Sequence, residues 1–342
     1  MLEVIFIILH TDSSGRFTMM PHNPSRIMKH LFTKTILTLL LLLPMNEAYS
    51  QGTWQKMKQK AKSAWNSDTR KQLWEKTKEK ASAVTESDML KQFEYTVPVT
   101  NRSFYNLVPD KYLLPYSNQQ YAAYIRSSKA CTNAKQTAQV KRVSQRLIAA
   151  TERLLRNNGM SNELKNFQWT INVVNSSEIN AFCMPGGKIV VYTGILPVAG
   201  DDASLACVIG HEIAHAVAKH SAEQMSKKVM TTVGVAALYA MLTSDDMSNS
   251  QRRMAQILAA SGITLANLKF SRLNETEADR LGLIIAAMAG YNPEAAVPFW
   301  QRMGEKINLK TSRDWFSTHP SNSNRISNIR QFLPEAKRYM NK

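Results

Sequence analysis

Two histidines four residues apart, with a glutamate beside the first, are the chemistry this chain offers most plainly. They lie in Val208-Ile209-Gly210-His211-Glu212-Ile213-Ala214-His215. On a helix, residues four apart stack on one face, so His211 and His215 can grip one metal ion. Glu212 sits one step round, beside the metal rather than on it, where it can take a proton from a water there. A catalytic zinc uses three protein ligands and keeps one position open. After residue 50 the sequence has only His211, His215, His220 and His319 as histidines. On a continuous helix His220 lies about 180° round from His211 and points away from the metal. The third ligand must come from elsewhere.

Glu275-Thr276-Glu277-Ala278-Asp279 is the best source. Glu275 and Asp279 share a helix face, and Glu277 points away. One carboxylate can bind the metal while the other holds a ligand imidazole through its free ring N–H. His319, in Ser317-Thr318-His319-Pro320 with Arg325 shortly after, reads as a loop over a cleft. Such a histidine can stabilise an oxyanion or occupy the open metal position in a resting state; Arg325 is the other candidate for the oxyanion.

The elements that must carry these groups are mostly helical. Asn118 to Ala150 reads as helix, and Val140 to Leu155 is amphipathic through Val143, Leu147 and Leu154. Trp169 to Asn175 alternates and is β-branched, so it predicts a strand. Ser176 to Gly187 is turn-rich. Lys188-Ile189-Val190-Val191-Tyr192 is a second strand, stopped by Gly194, and the two predict a small antiparallel sheet feeding the metal helix. Asp201 and Asp202 offer an N-cap for a helix running through His211 to about Lys228. Val229 to Leu242 is apolar but too short to span a bilayer comfortably, so it predicts a buried or cleft-covering helix. Asn274 to Ala289 is a further helix, and the tail is helical over 294–303 and 324–332.

The chain has 342 residues, a formal charge of +17, 44% apolar and 20% charged residues. These suit one good-sized folded domain with extras, or two small domains. No zinc finger or glycine-rich phosphate loop accompanies the positive charge, which argues against nucleic acid as a partner. Cys131, Cys183 and Cys207 make no disulfide framework, and Cys207 reads as a small core residue. Lys29, His30 and Lys34 precede an apolar run, Ile36 to Leu43, and Ala48-Tyr49-Ser50 fits a cleavage site before Gln51. Residues 1–27 then read as an upstream extension, 28–50 as a signal peptide, and the protein as exported: periplasmic or peripheral on the envelope membrane. Over 51–97 a basic, Trp-containing helical pattern recurs from Trp54 to Trp74. Its two readings are a contact with membrane or cell-wall polymer and a solvated hairpin. Residues 98–342 are left as the domain that holds the metal constellation.

His211-Glu212-x-x-His215, then Glu275-x-x-Ala278-Asp279, then His319-Pro320 resemble the HtpX-like and CAAX-prenyl-endopeptidase family of zinc metallopeptidases. Asn180-Ala181-Phe182-Cys183-Met184-Pro185-Gly186-Gly187-Lys188-Ile189 is similar to that family's strand before the active-site helix, with Cys183 where Ala is commoner. The resemblance covers about 140–332 and falls on a soluble, envelope-located branch similar to outer-membrane quality-control proteases. It implies an α+β, mostly α, gluzincin domain holding one zinc per chain on His211, His215 and Glu275. It also implies Glu212 as general base and acid, Asp279 orienting a ligand histidine, and Lys188 to Tyr192 pairing with an extended protein or peptide substrate. In some relatives the histidine matching His319 caps the zinc. Two functions follow as expectations: an endopeptidase acting on misfolded or unassembled envelope proteins, or a chaperone or assembly factor with a latent zinc site.

Overall fold

The computed structural model describes residues 90–234, 238, 241–243, 247–307, 313–320 and 324–340, with a pair of dipeptide strands at His10–Thr11 and Phe17–Thr18. Contacts divide the chain into Met1–Met89 and Leu90–Lys342. The leader and the Trp54/Trp74 repeat lie outside the described residues. None of the described helices is long and apolar enough to cross a membrane.

The second unit opens with a hairpin, β1 (Glu94–Thr96) and β2 (Ser103–Tyr105). Helix α1 (Asp110–Ser127) and helix α2 (Ala134–Asn157) follow. The sequence reads one helix from Asn118; the structure has two, and Pro115 sits inside the first. The break falls where Ala130 bridges Val174 and Asn133 caps α2 by accepting from the Gln136 amide. Along α2, Val140, Val143, Leu147, Ala150 and Leu154 recur every three or four residues and are buried on one face.

The sheet has three strands: β3 (Thr170–Val174), β4 (Ala181–Met184) and β5 (Lys188–Tyr192), in the order β3-β5-β4. It is mixed, not antiparallel throughout. β4 and β5 form a hairpin through Gly186 and Gly187, both at positive φ, while β3 runs parallel to β5. Gly187 is required: a Cβ there would lie 2.5 Å from the Trp169 ring. The residue pattern alone reads β4 as turn-rich, and only the resemblance points to a strand there. All four of its residues are buried, so both faces are apolar and no alternation marks it.

The sheet separates two cores. Ala181, Cys183, Ile189 and Val191 face the core shared with α2. Phe182, Met184, Val190 and Tyr192 face the other, with α1. This is the two-residue period of a strand with both sides covered.

Helix α3 (Asp202–Val217) carries the H-E-x-x-H motif. Asp201 caps it by accepting from the Ser204 amide at 2.7 Å. Its residues from Ser204 to His215 are all buried, which suits a helix apolar nearly all round. It does not run on to Lys228. Lys219 turns left-handed at φ 53, and α4 (His220–Val233) starts afresh. The turn is held by Lys219 Nζ, 2.6 Å from Asp110 and 2.7 Å from Glu163. Gly234 ends α4, and Leu238, Met241 and Leu242 beyond it are buried with α5 (Met247–Ala260).

Helix α6 (Arg272–Met288) is set by a capping box between Ser271 and Asn274. Helices α7 (Ala296–Ile307), α8 (Arg313–Thr318) and α9 (Arg325–Lys337) complete the unit. The whole is α+β and mostly helical, as the sequence predicts.

Candidate active site

Helices α3 and α6 cross at two glycines. A Cβ on Gly210 would lie 2.8 Å from the Gly282 carbonyl oxygen, and one on Gly282 would lie 2.7 Å from the His211 amide nitrogen. Glycine costs roughly 1 kcal/mol against alanine inside a helix. Here it lets the two backbones touch, which brings Glu275 and Asp279 against His211 and His215.

Ligand-type atoms of His211, His215, Glu275 and His319 all lie within 4.8 Å of one another, and all four residues are buried. His211 Nε2 and His215 Nε2 are 3.1 Å apart. Two nitrogens on one tetrahedral zinc would lie about 3.3 Å apart, given bonds of about 2.0–2.1 Å. Glu275 Oε2 is 3.5 Å from His211 Nε2, and its Oε1 is 3.5 Å from His215 Nε2 and 3.1 Å from His319 Nδ1. Glu275 Oε2 and Glu212 Oε1 are buried without a hydrogen-bond partner. Orphaned carboxylate oxygens beside imidazole nitrogens are the arrangement a divalent cation satisfies. The residues therefore fit a metal, and Glu275 rather than Asp279 is the carboxylate aimed at it.

Asp279 Oδ1 instead lies 2.9 Å from His211 Nδ1 and orients that ring. Arg325 reaches the site from α9, with its Nε and Nη1 buried and without a hydrogen-bond partner. Its Nη2 donates to Asp279 at 2.7 Å, and its guanidinium lies 3.4 Å from the Trp300 ring centroid. It braces Asp279, with Nη1 3.5 Å from Glu275.

Glu212 Oε1 is 4.0 Å from His211 Nε2 and 3.7 Å from His319 Nε2. His319 lies in the cluster itself, at the end of α8. Trp315, one turn earlier and fully buried, stacks on its ring at 4.4 Å. Phe270 stacks on His215 at 4.0 Å, and its amide donates to the Thr318 carbonyl. Neither aromatic figures in the sequence reading; the spacing of Trp315 four before His319 is the signal that could have found it.

Burial and charge act together on the titrations. Burial raises the Glu212 carboxyl above its usual range. Burial depresses His211, but the Asp279 and Glu275 carboxylates outweigh it and raise that imidazole to about 9. Burial holds His215 well below its usual value, and the neighbouring histidines add to this. Burial opposes ionisation of Glu275, yet His319 and His211 carry its carboxyl well below the usual range.

Two placements differ from the sequence reading. His220 does not point away: the break at Lys219 swings it behind His215, with the two Nδ1 atoms 2.8 Å apart. It stays outside the ligand cluster because it faces the far nitrogen of that ring. Lys188, Ile189, Val190, Val191 and Tyr192 form the central strand β5, hydrogen-bonded on both sides. A strand with two partners has no edge for a third, so this strand cannot take up a substrate backbone.

Fold and site together define the class: a metallopeptidase with an H-E-x-x-H helix and a carboxylate from a second, crossing helix. More particularly, residues 135–333 match peptidase family M48, and the chain belongs to that family. It is 37% identical over 203 residues to the mitochondrial metalloendopeptidase OMA1 of Schizosaccharomyces pombe, covering 58% of this chain and 54% of that protein. The Arabidopsis thaliana protein of the same name is 37% identical over 171 residues, 50% of this chain and 33% of its own. The Beta-barrel assembly-enhancing protease of Escherichia coli is 29% identical over 164 residues, 46% and 33% of the two chains. This chain spans about half or less of the length of these relatives.

Proposed function

We propose that the protein is a zinc-dependent endopeptidase, with one zinc per chain on His211, His215 and Glu275. The observation that carries this is the buried cluster of two Nε2 atoms and a carboxylate, with the unpartnered Glu212 oxygen beside it. When bound, zinc supplies Lewis-acid polarisation of the scissile carbonyl and lowers the pKa of water. Glu212 then takes the proton of the attacking water and passes it to the leaving amine. Its burial suits that exchange, since a raised carboxyl both accepts and returns a proton near neutral pH.

An extended substrate backbone is assigned to β4 instead of β5. β4 is one of the two outer strands of the sheet, and it packs against α3. Substrates on this reading are unfolded or unassembled proteins of a membrane or envelope compartment; one relative is by name mitochondrial and another is a beta-barrel assembly-enhancing protease. The narrower placement, a soluble exported branch similar to outer-membrane quality-control proteases, belongs to the same proposal, as does a surface contact through 51–97.

His319 closes the site in this conformation. It lies 3.1 Å from Glu275, and Glu212 and His319 are each only 2% exposed. The resting enzyme is therefore read as latent, with His319 as a fourth ligand on the metal. The test is cleavage of unfolded casein: activity blocked by a chelator and restored by zinc supports the enzyme. Zinc-loaded protein that binds casein without cutting it, with or without His319, supports the chaperone reading instead.

A further inference from the structure

Behind His215, away from the cluster, runs a buried chain of polar groups that the reaction above does not use. His220 Nδ1 is 2.8 Å from His215 Nδ1, and His220 Nε2 is 2.9 Å from Glu277 Oε2. Arg102 Nε donates to the same Glu277 oxygen at 2.8 Å, and its Nη2 donates to Glu223 at 2.8 Å. The Thr100 hydroxyl donates to Glu277 Oε1. His220 is fully buried and Glu277 nearly so.

The proton positions along this chain follow from donor and acceptor counting. Glu277 as a carboxylate only accepts. A neutral His220 must therefore present Nε2–H to it, which leaves a lone pair on His220 Nδ1. That atom can only accept from His215 Nδ1–H. His215 is left with its lone pair on Nε2, the atom that faces His211 and Glu275. Asp279 fixes His211 in the same sense from its Nδ1.

Backbone strain marks the same region. The non-glycine residues at positive φ among those described are Val99, Asn101 and Lys219. Two flank Thr100 in the loop between β1 and β2, and the third directly precedes His220. A β-branched residue such as Val99 at φ 69 is a true outlier. Such strain persists where the surroundings over-determine it, and it clusters at functional sites.

We propose that His220, Glu277 and Arg102 are positioning residues that hold His215 in its metal-facing tautomer. The β1–β2 hairpin, which precedes the residues matched to the family, is thereby a working part of the metal site. This rests on the reading that His215 Nε2 faces a metal.

The test is zinc affinity of the full chain, measured by competition with a chromophoric chelator at fixed pH. His220→Leu is expected to bind zinc about 10–100-fold more weakly, the usual cost of losing an outer partner. His220→Asn, whose side-chain oxygen can still accept from His215, recovers most of that loss. Arg102→Ala weakens binding by up to about 10-fold. Combined with Glu277→Gln, it is no weaker than the worse single variant, because both cut one chain. Should His220→Leu not fold, Arg102→Ala and Glu277→Gln carry the comparison. Folded variants with wild-type zinc affinity, or fully additive losses, would overturn the proposal. Wild-type protein that binds no zinc would instead overturn the reading of the site on which it rests.

Discussion

Gly210 and Gly282 meet backbone to backbone where α3 and α6 cross, with a Cβ on either falling under 3.0 Å from the other helix. That crossing fixes the distance between the two histidines and the two carboxylates. Gly282→Ala forces the helices apart and is expected to cost about 1–3 kcal/mol in denaturant unfolding, with weaker zinc binding. Gly304→Ala is the control. It lies in α7 with nothing within 4 Å of its Cβ position, so helix propensity should make it neutral to about 1 kcal/mol more stable. Equal effects of the two would argue against the crossing.

Glu275 and Asp279 of α6 are expected to have separable roles. Glu275→Ala should remove zinc from the purified protein by elemental analysis. Asp279→Ala should keep a site but weaken it about 10–100-fold. A full zinc complement in Glu275→Ala would take that residue out of the ligand set.

A capping role for His319 predicts a gain of activity when the imidazole is removed. With His319→Ala, casein cleavage is expected to rise about tenfold, since the competent fraction of the enzyme grows. Trp315→Ala, which removes the ring stacked on His319, should move activity in the same direction at a stability cost of about 3–5 kcal/mol. Loss of activity in His319→Ala would mean that the histidine stabilises the oxyanion instead.

Metal removal should expose a pH dependence. In the metal-free protein His211 titrates at about 9, above its usual value of 6.5. A raised folded-state pKa stabilises fully below the unfolded value and less as pH rises through the folded one. In chelator, the melting temperature should therefore fall between pH 6.5 and 9 through this group. Zinc must displace that proton, so binding near pH 7 should release it, as calorimetry in buffers of different ionisation enthalpy will read. Binding without proton release at pH 7 would contradict the His211–Asp279–Glu275 arrangement.

The site was legible where chemistry follows a helical period. His211 and His215, and Glu275 and Asp279, could be paired from spacing alone because each pair lies within one helix. What could not be read depended on contacts between distant segments. Lys219 carries no local sign of a left-handed turn; Asp110 and Glu163, far away in sequence, hold it there. Without that break, His220 is wrongly turned outward. β4 shows no alternation because both of its faces are buried, so the sheet order, with Lys188–Tyr192 as its central strand, is not legible from the pattern. Arg325 could be placed near the site, but its partners, Asp279 and the Trp300 ring, lie on two other helices and carry no local sign in the sequence.

On the proposed mechanism Glu212 moves the proton while His211, His215 and Glu275 hold the metal. The most direct test compares wild type with Glu212→Gln, both zinc-loaded, for cleavage of unfolded casein. The expected result is a wild-type zinc content with turnover lower by about 10²–10⁴-fold, the usual worth of a positioned general base. Glu212→Gln that cuts casein at the wild-type rate would contradict the account.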